Sequence, residues 1–191
     1  LNLRMKELQL RMPEREFYTR VTEIVAESSD TEACSIFMVS QQQDYLYLKA
    51  TSSEEATNEI TKKPIDKEKC LLEQTPIYYL KPKAESITAN VFERKKSALV
   101  YDLDKCKYTR KVFVEKAESV HKSIIAMPLF NALGEPVGVI RCINKKKAGN
   151  LLHTFVKGDL ELLNIITGII SGYLIYKEYD EQRNKVLAHF G

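Results

Sequence analysis

The sequence has almost no excess of either charge and no long apolar run. Its 29 Lys and Arg against 26 Asp and Glu leave a net charge of +3, whereas a general nucleic-acid binder would carry a strongly basic patch or stripe. The longest stretch of low charge, residues 162–176, is interrupted by Asn, Thr, Ser and Gly and falls short of the roughly 18 to 20 apolar residues that cross a membrane. The composition therefore argues against a nucleic-acid partner and against membrane insertion.

Cysteine and histidine are scarce and scattered. The cysteines recur at a constant spacing, at Cys34, Cys70, Cys106 and Cys142. Their neighbourhoods share no pattern, so we do not interpret the spacing as a repeat. There is no Cys-x-x-Cys pair and no Cys/His cluster, which gives little support to a metal site or a redox dithiol and favours a reducing, cytoplasmic compartment. No signal peptide is visible near the first residue, Leu1, and we interpret the chain as a piece of a longer protein.

The sequence does contain a regular succession of helical and strand patterns. Helices are predicted at about 1–13, 14–27, 84–96, 104–120 and 160–189, the last with Asp159 as N-cap. Its buried stripe is predicted at Leu162, Ile166, Ile169, Tyr173 and Tyr176. Two hairpins are predicted, at 34–48 and at 124–143, the second around a glycine-containing turn. This order of elements is typical of an α+β domain with an antiparallel sheet and helices packed on it.

One part of the chain carries a recognisable combination of motifs. It comprises the β-rich run 123–129, the run 134–140 after the turn, the pair Asn144-Lys145, and Phe155 followed by three residues and Asp159. This combination resembles a GAF domain, most closely the regulatory GAF modules of cyclic-nucleotide phosphodiesterases and of some nucleotide cyclases. The resemblance implies a twisted antiparallel sheet of about six strands, with helices on one face and a ligand pocket on the other.

The resemblance also implies a division of the chain. Residues 1–13 would form an N-terminal connecting helix, residues 14–176 the GAF domain, and residues 177–191 a C-terminal connecting helix toward an output domain outside this chain. Apolar residues at helical spacing in the terminal helices predict a homodimer through a helical bundle.

Ligand contacts follow from the same resemblance, residue by residue. Ser35 would face the base, and the backbone of 87–89 would approach the phosphate at a helix start, where free N–H groups favour an anion. A lid helix would contribute further side chains. The implied ligand-binding residues are Ser35, Ile87, Thr88, Ala89, Asp102, Arg110, Val114, Ala117, His121 and Arg141.

Four more residues are implied as a latch that closes the pocket, namely Asn144, Lys145, Phe155 and Asp159. In the resembling modules, the Lys and the Asp form an ion pair that need not touch the ligand. A partly buried pair of this kind is costly to break by removing one partner. The alternative is that Lys145 and Asp159 are solvated charges at a strand end and a helix start.

The predicted function is a sensor that binds a cyclic nucleotide, cAMP or cGMP, and relays its occupancy through dimeric helices to an output domain. Residues 92–147 carry a net charge of +7, which fits an anionic ligand. The alternative is a GAF dimerisation or scaffolding module with no nucleotide. We expect no covalent cofactor and no metal. We also expect that the domain is not an enzyme, since no catalytic triad order stands out and His121, His153 and His189 are isolated.

Overall fold

The computed structural model describes residues 10–53, 74–80, 86–101, 123–146 and 154–190. The described residues form three helices and six strands. The helices are α1 (Glu14–Ser28), α2 (Ile87–Arg94) and α3 (Lys157–Phe190). The strands are β1 (Thr31–Val39), β2 (Tyr45–Thr51), β3 (Pro76–Tyr79), β4 (Ala98–Val100), β5 (Ile124–Phe130) and β6 (Pro136–Lys145).

The six strands make one antiparallel sheet in the order β3, β2, β1, β6, β5, β4. The long strands β1 and β6 lie at its centre, and the short strands β3 and β4 lie at its edges. The expected α+β class and the six-stranded antiparallel sheet are therefore confirmed. The expected pocket stays a prediction, because its expected lid helix, with the positions 110, 114, 117 and 121, lies outside the described residues.

One face of the sheet, which we call the bundle face, packs against α1 and α3. Its strand residues include Cys34, Ile36 and Cys142, all of them fully buried. The two helices meet where the rings of Phe17 and Tyr173 stack, with centroids 3.7 Å apart and planes within 6°. This helical layer confirms the expectation of helices packed on one face.

The register of α3 differs in part from the prediction. The helix begins at Lys157, so Asp159 lies in its first turn and is not its N-cap. Two residues of the predicted stripe, Ile166 and Tyr173, are fully buried. Leu163 and Ile170 complete the buried stripe, while Leu162, Ile169 and Tyr176 are half-buried. Apolar residues on several sides of this helix made the predicted stripe ambiguous.

Helix α3 is also the one described helix that is long and apolar enough to cross a membrane by length and composition. Its most apolar 18-residue window is 33% buried inside the domain. A core helix of a soluble protein meets the same criterion, so the property is weak evidence for a membrane span.

The opposite face of the sheet, which we call the α2 face, packs against α2. Phe37, Ala126 and Val139 point to this face and form a second apolar cluster with Val91 and Phe92 of the helix. Helix α2 starts at the N-cap Ser86, whose hydroxyl accepts a hydrogen bond from the N–H of Ala89 at 3.0 Å. This cap sets the residue at which the helix begins, and the helix then packs against β5 and β6.

Gly138 and Pro128 have structural reasons for their positions in the strands. A Cβ on Gly138 would lie 2.3 Å from the backbone oxygen of Phe37, so the close pairing of β1 and β6 requires a glycine. Pro128 pairs with Val139 in β6 and lies beyond the last residue of β5 that pairs with β4. Its missing N–H therefore costs no bond to β4.

Candidate functional site

Three of the residues predicted to contact a ligand come together on the α2 face. Ser35 and Arg141 are direct partners across β1 and β6, so their side chains project from the same face of the sheet. The Nη1 atom of Arg141 lies 3.3 Å from Oγ1 of Thr88 in the first turn of α2. The hydroxyl of Ser35 is 3.0 Å from that of Thr51 in β2. Arg141 therefore contacts a hydroxyl group at the start of α2 and lies beside the Ser35–Thr51 hydroxyl pair in the sheet.

Two aromatic rings hold the guanidinium of Arg141 in place. Its Cζ lies 4.9 Å from the ring centroid of Phe37 and 5.6 Å from that of Tyr78. Nη1 also donates a hydrogen bond to the hydroxyl of Tyr78. Stacking on aromatic faces is a property of the planar guanidinium that a lysine would not reproduce. Phe37 and Tyr78 were not among the predicted site residues.

The first turn of α2 places its backbone beside this cation. The side chains of Ile87 and Ala89 are buried and apolar, so any role of these two residues toward a ligand rests on their backbone. The N–H of Ala89 already donates to Ser86, while the first N–H groups of a helix have no partner within the helix itself. The start of a helix carries partial positive charge, and Arg141 lies next to it.

The predicted ion pair between Lys145 and Asp159 is present. Nζ of Lys145 lies 2.7 Å from Oδ1 and 2.8 Å from Oδ2 of Asp159, and the side chains are only 17% and 9% exposed. Oδ2 also accepts a hydrogen bond from the N–H of Val156 at 2.7 Å. In this arrangement, an acidic side chain in the first turn accepts a hydrogen bond from the backbone N–H of the residue just before the helix. The pair therefore fastens the end of β6 to the start of α3.

The other two latch residues have structural partners. Asn144 has a positive φ of 48°, a conformation that Asn tolerates better than most residues. Its Oδ1 accepts from the N–H of Ser123 at 3.2 Å, and its Nδ2 donates to the carboxylate of Glu32 at 2.7 Å. Phe155 is fully buried in the core of the bundle face. Asn144 thus joins the end of β6 to β1 and to the start of β5, while Phe155 anchors the residues just before α3 in the core.

Five predicted ligand-binding residues lie outside the described residues. They are Asp102, Arg110, Val114, Ala117 and His121. The described part of the site is therefore the side formed by the sheet and α2.

Among the described residues, no group of three or more His, Cys, Asp or Glu could hold a metal ion. Cys34 and Cys142 are both fully buried and pair directly across β1 and β6 on the bundle face, away from Arg141. Burial raises the pKa of the Cys34 thiol well above its ordinary value, so it stays protonated and unreactive near neutral pH.

Solved structures with a similar fold include GAF domains and enzymes. The GAF domain of a phosphoenolpyruvate-protein phosphotransferase from Coxiella burnetii has a TM-score of 0.66 and 16% identity, covering 97% of this chain and 94% of that one. The corresponding domain from Acinetobacter has a TM-score of 0.64 and 13% identity, covering 96% and 94%. The free methionine-R-sulfoxide reductase from Neisseria meningitidis, in complex with its substrate, has a TM-score of 0.63 and 14% identity, covering 94% and 86%.

These reductases correct one expectation from the sequence. We expected that the domain is not an enzyme, and that expectation is wrong, because free methionine-R-sulfoxide reductases are enzymes built on this same fold. The absence of a recognisable catalytic triad did not exclude catalysis by such a domain.

The family itself follows from the sequence match. Among curated protein sequences, none matches this chain significantly. The GAF domain family model matches residues 13–174, which is most of the chain and includes every described strand and the buried part of α3. This chain belongs to the GAF domain family, a fold used for sensing and regulation.

Proposed function

We propose that this chain is a ligand-sensing domain that binds a small anionic molecule against both Arg141 and the first turn of α2. The observation that carries the proposal is the 3.3 Å contact between Nη1 of Arg141 and Oγ1 of Thr88. It places a guanidinium at the positive end of a helix, where a cation is disfavoured by roughly 0.3 to 1 kcal/mol. A bound anion would interact favourably with both positive groups.

The surroundings of Arg141 support binding of a phosphate or carboxylate group. Its planar guanidinium offers paired N–H donors that match the spacing of phosphate and carboxylate oxygens. The rings of Phe37 and Tyr78 lie next to each other on one side of the cation, and Arg141 is half-buried. Because the local dielectric constant is lower than that of water, its attraction to an anion is stronger than at an open surface.

The finer form of the proposal is that the ligand is a cyclic nucleotide, cAMP or cGMP. It rests on the sequence resemblance together with the position of Ser35, whose hydroxyl meets that of Thr51 beside Arg141. A pair of hydroxyl groups can both donate and accept hydrogen bonds, as the edge of a base requires. Residues 102–122 would then supply the lid.

We place the domain in the cytoplasm, as a homodimer within a larger signalling protein. Ligand binding would reach an output domain through α3, which runs without a break from the Lys145–Asp159 pair to residue 190. A ligand can shift an equilibrium only if its affinity differs between two states of the protein. The junction of β6 and α3 is where we expect those two states to differ.

A thermal-shift panel on the purified chain tests whether the anionic group matters. Cyclic AMP and cyclic GMP are compared with adenosine and guanosine, which have the same bases without the phosphate. We expect a rise in melting temperature with at least one cyclic nucleotide and none with the nucleosides. Equal shifts for nucleotide and nucleoside would contradict the anion site. No shift with any of the four compounds would contradict the cyclic-nucleotide form and favour the alternative of a scaffolding module.

A further inference from the structure

Cys34 and Cys142 lie 108 positions apart in the sequence and face each other at the centre of the sheet. They are direct partners in the pairing of β1 with β6. Both are thiols and both are fully buried in the core of the bundle face. The spacing of the cysteines along the chain offered little support for a redox dithiol, but the fold brings two thiols together.

The backbone of Cys34 shows which kind of cross-strand pair this is. Its N–H donates to the hydroxyl of Ser52 at 2.9 Å, and its carbonyl accepts from the N–H of Ser52 at 2.9 Å. Both backbone groups therefore face the end of β2, and Cys34 and Cys142 form a pair without hydrogen bonds between their own backbones. In such a pair the Cα atoms are about 4.5 Å apart, within the roughly 4.4 to 6.8 Å that disulfides span.

The two side chains are also in contact. The thiol of Cys34 and the thiol of Cys142 are hydrogen-bonded to each other. Side chains of a pair without backbone hydrogen bonds approach more closely than those of its neighbours in the ladder. Rotation of the side chains, with the strands in place, is therefore sufficient to join the two sulfur atoms.

The helical layer of α1 and α3 covers this pair. Val21 and Val25 of α1 and Leu163 and Ile166 of α3 belong to the same apolar cluster as the two cysteines. While the layer is closed, burial raises the pKa of the Cys34 thiol, so the reactive thiolate is scarce. Folded proteins open locally as contiguous units, and separation of the layer from the sheet would expose both thiols to water.

We propose that Cys34 and Cys142 are a reversible redox site, oxidised to an intramolecular disulfide by a small disulfide such as glutathione disulfide when the helical layer opens. In a reducing compartment the pair stays a dithiol, and an excess of the small disulfide oxidises it. The bond joins two strands that are already paired, so the domain stays folded. This site lies on the bundle face and requires no ligand at Arg141.

The reaction consists of two thiol–disulfide exchange steps. One cysteine loses its proton to solvent, and its sulfur attacks glutathione disulfide, which gives a mixed disulfide and releases one glutathione thiolate. The other cysteine then loses its proton and attacks the protein sulfur of the mixed disulfide, which closes the Cys34–Cys142 bond and releases the second glutathione thiolate. Two protein thiols are oxidised, and one glutathione disulfide is reduced to two glutathione molecules that take up the two protons.

Mass spectrometry tests the bond in the whole chain with Cys70→Ser and Cys106→Ser, since those two cysteines lie outside the described residues and would react as well. The folded protein is treated with excess glutathione disulfide at neutral pH, quenched with acid, denatured and alkylated with iodoacetamide. We expect a loss of two hydrogen atoms, no alkylation, an unchanged circular dichroism spectrum, and two alkylated thiols after dithiothreitol. The matched control, Cys142→Ala in the same background, should show no loss of two hydrogen atoms and should retain one glutathione.

Three results would overturn the proposal. The first is two alkylated thiols after a treatment that oxidises the same chain fully in urea. The second is glutathione retained on the pair in place of the internal bond. The third is a circular dichroism spectrum that shows the oxidised protein unfolded.

A pair of identical substitutions tests whether opening of the helical layer controls the reaction. Val21 of α1 and Val91 of α2 are both buried, the first on the bundle face and the second on the α2 face. Val21→Ala weakens the layer, so oxidation by glutathione disulfide should be at least about fivefold faster than in the parent. Val91→Ala should leave the rate within about twofold. Equal acceleration would indicate oxidation through global unfolding, and no acceleration in Val21→Ala would equally contradict control by the layer.

Discussion

Lys145 and Asp159 connect the last residue of the longest strand to the first turn of the longest helix. Both carboxylate oxygens of Asp159 lie within 2.8 Å of Nζ of Lys145, and both side chains are largely buried. One of these oxygens, Oδ2, also accepts a hydrogen bond from the N–H of Val156. The sheet and α3 are therefore coupled by one acidic side chain with two roles.

Asp159→Ala should destabilise the domain by about 3 kcal/mol, because it leaves the ammonium of Lys145 buried without its carboxylate. Urea unfolding at neutral pH measures this change. The matched control is Glu161→Ala, which removes an exposed pair 4.0 Å from Lys157 in the same helix and should cost less than about 0.5 kcal/mol. Equal losses in the two variants would show that the Lys145–Asp159 pair has no special role.

Tyr18 and Tyr173 are neighbouring buried tyrosines with different hydrogen bonding. Among the described residues the Tyr18 hydroxyl has no hydrogen-bond partner, while the Tyr173 hydroxyl donates to the carbonyl of Met12 at 3.1 Å. Tyr18→Phe should therefore leave the unfolding free energy unchanged or raise it by up to about 1 kcal/mol. Tyr173→Phe should lower it by about 1 kcal/mol. A larger loss for Tyr18→Phe than for Tyr173→Phe would contradict this assignment.

Alkaline pH should unfold the domain through the same tyrosines. Burial, followed by the nearby Glu14 and Tyr176, raises the pKa of Tyr173 to about 12 from the ordinary 10.0, and burial raises the pKa of Tyr18 further. A raised folded-state pKa gives a stabilising contribution that is complete below about pH 10 and is lost as the pH rises through about 12.

The unfolding free energy, measured between neutral pH and about pH 11.5, should thus decline above about pH 10. Tyrosinate absorbance should rise together with unfolding. The decline should be smaller in Tyr173→Phe. Full ionisation of all tyrosines near pH 10 while the domain stays folded would be inconsistent with the burial of Tyr18 and Tyr173.

The two glycines of the second hairpin should respond differently to alanine. Gly138→Ala places a Cβ 2.3 Å from the backbone oxygen of Phe37, so the central strands must separate and we expect a loss of at least about 2 kcal/mol. Gly134→Ala meets no atom within 4 Å but keeps a positive φ of 75°, which should cost about 1 kcal/mol. Thermal unfolding of both variants measures the two losses. A smaller loss for Gly138→Ala than for Gly134→Ala would contradict the prediction.

The second hairpin could be predicted from sequence because its signals are local. Its strands were expected at 124–130 and 136–143 and are found at Ile124–Phe130 and Pro136–Lys145. Alternating side chains and a glycine-containing turn lie within a short stretch, so periodicity alone locates them. The Lys145–Asp159 pair followed from the family resemblance in the same region.

The surroundings of Arg141 could not be predicted in the same way. Tyr78, its hydrogen-bond partner, is 63 positions away in sequence, and β2 and β1 lie between their strands in the sheet, so no local pattern links the two residues. For α3 the difficulty was of another kind. The helix has apolar residues on two sides, so its periodicity could not tell the side that the domain buries from the side that is exposed.

The most direct measurement of the proposed anion site is isothermal titration calorimetry with cyclic AMP and cyclic GMP on the wild type and on Arg141→Met. We expect one nucleotide bound per chain and at least about tenfold weaker binding in Arg141→Met. The control is Lys96→Met, which removes an exposed cation beyond the other end of α2. Binding to this variant should be unchanged. Circular dichroism confirms that each variant is folded. Equal affinity in the wild type and in folded Arg141→Met would contradict the site, and no binding of either nucleotide at about 1 mM would contradict the nucleotide ligand.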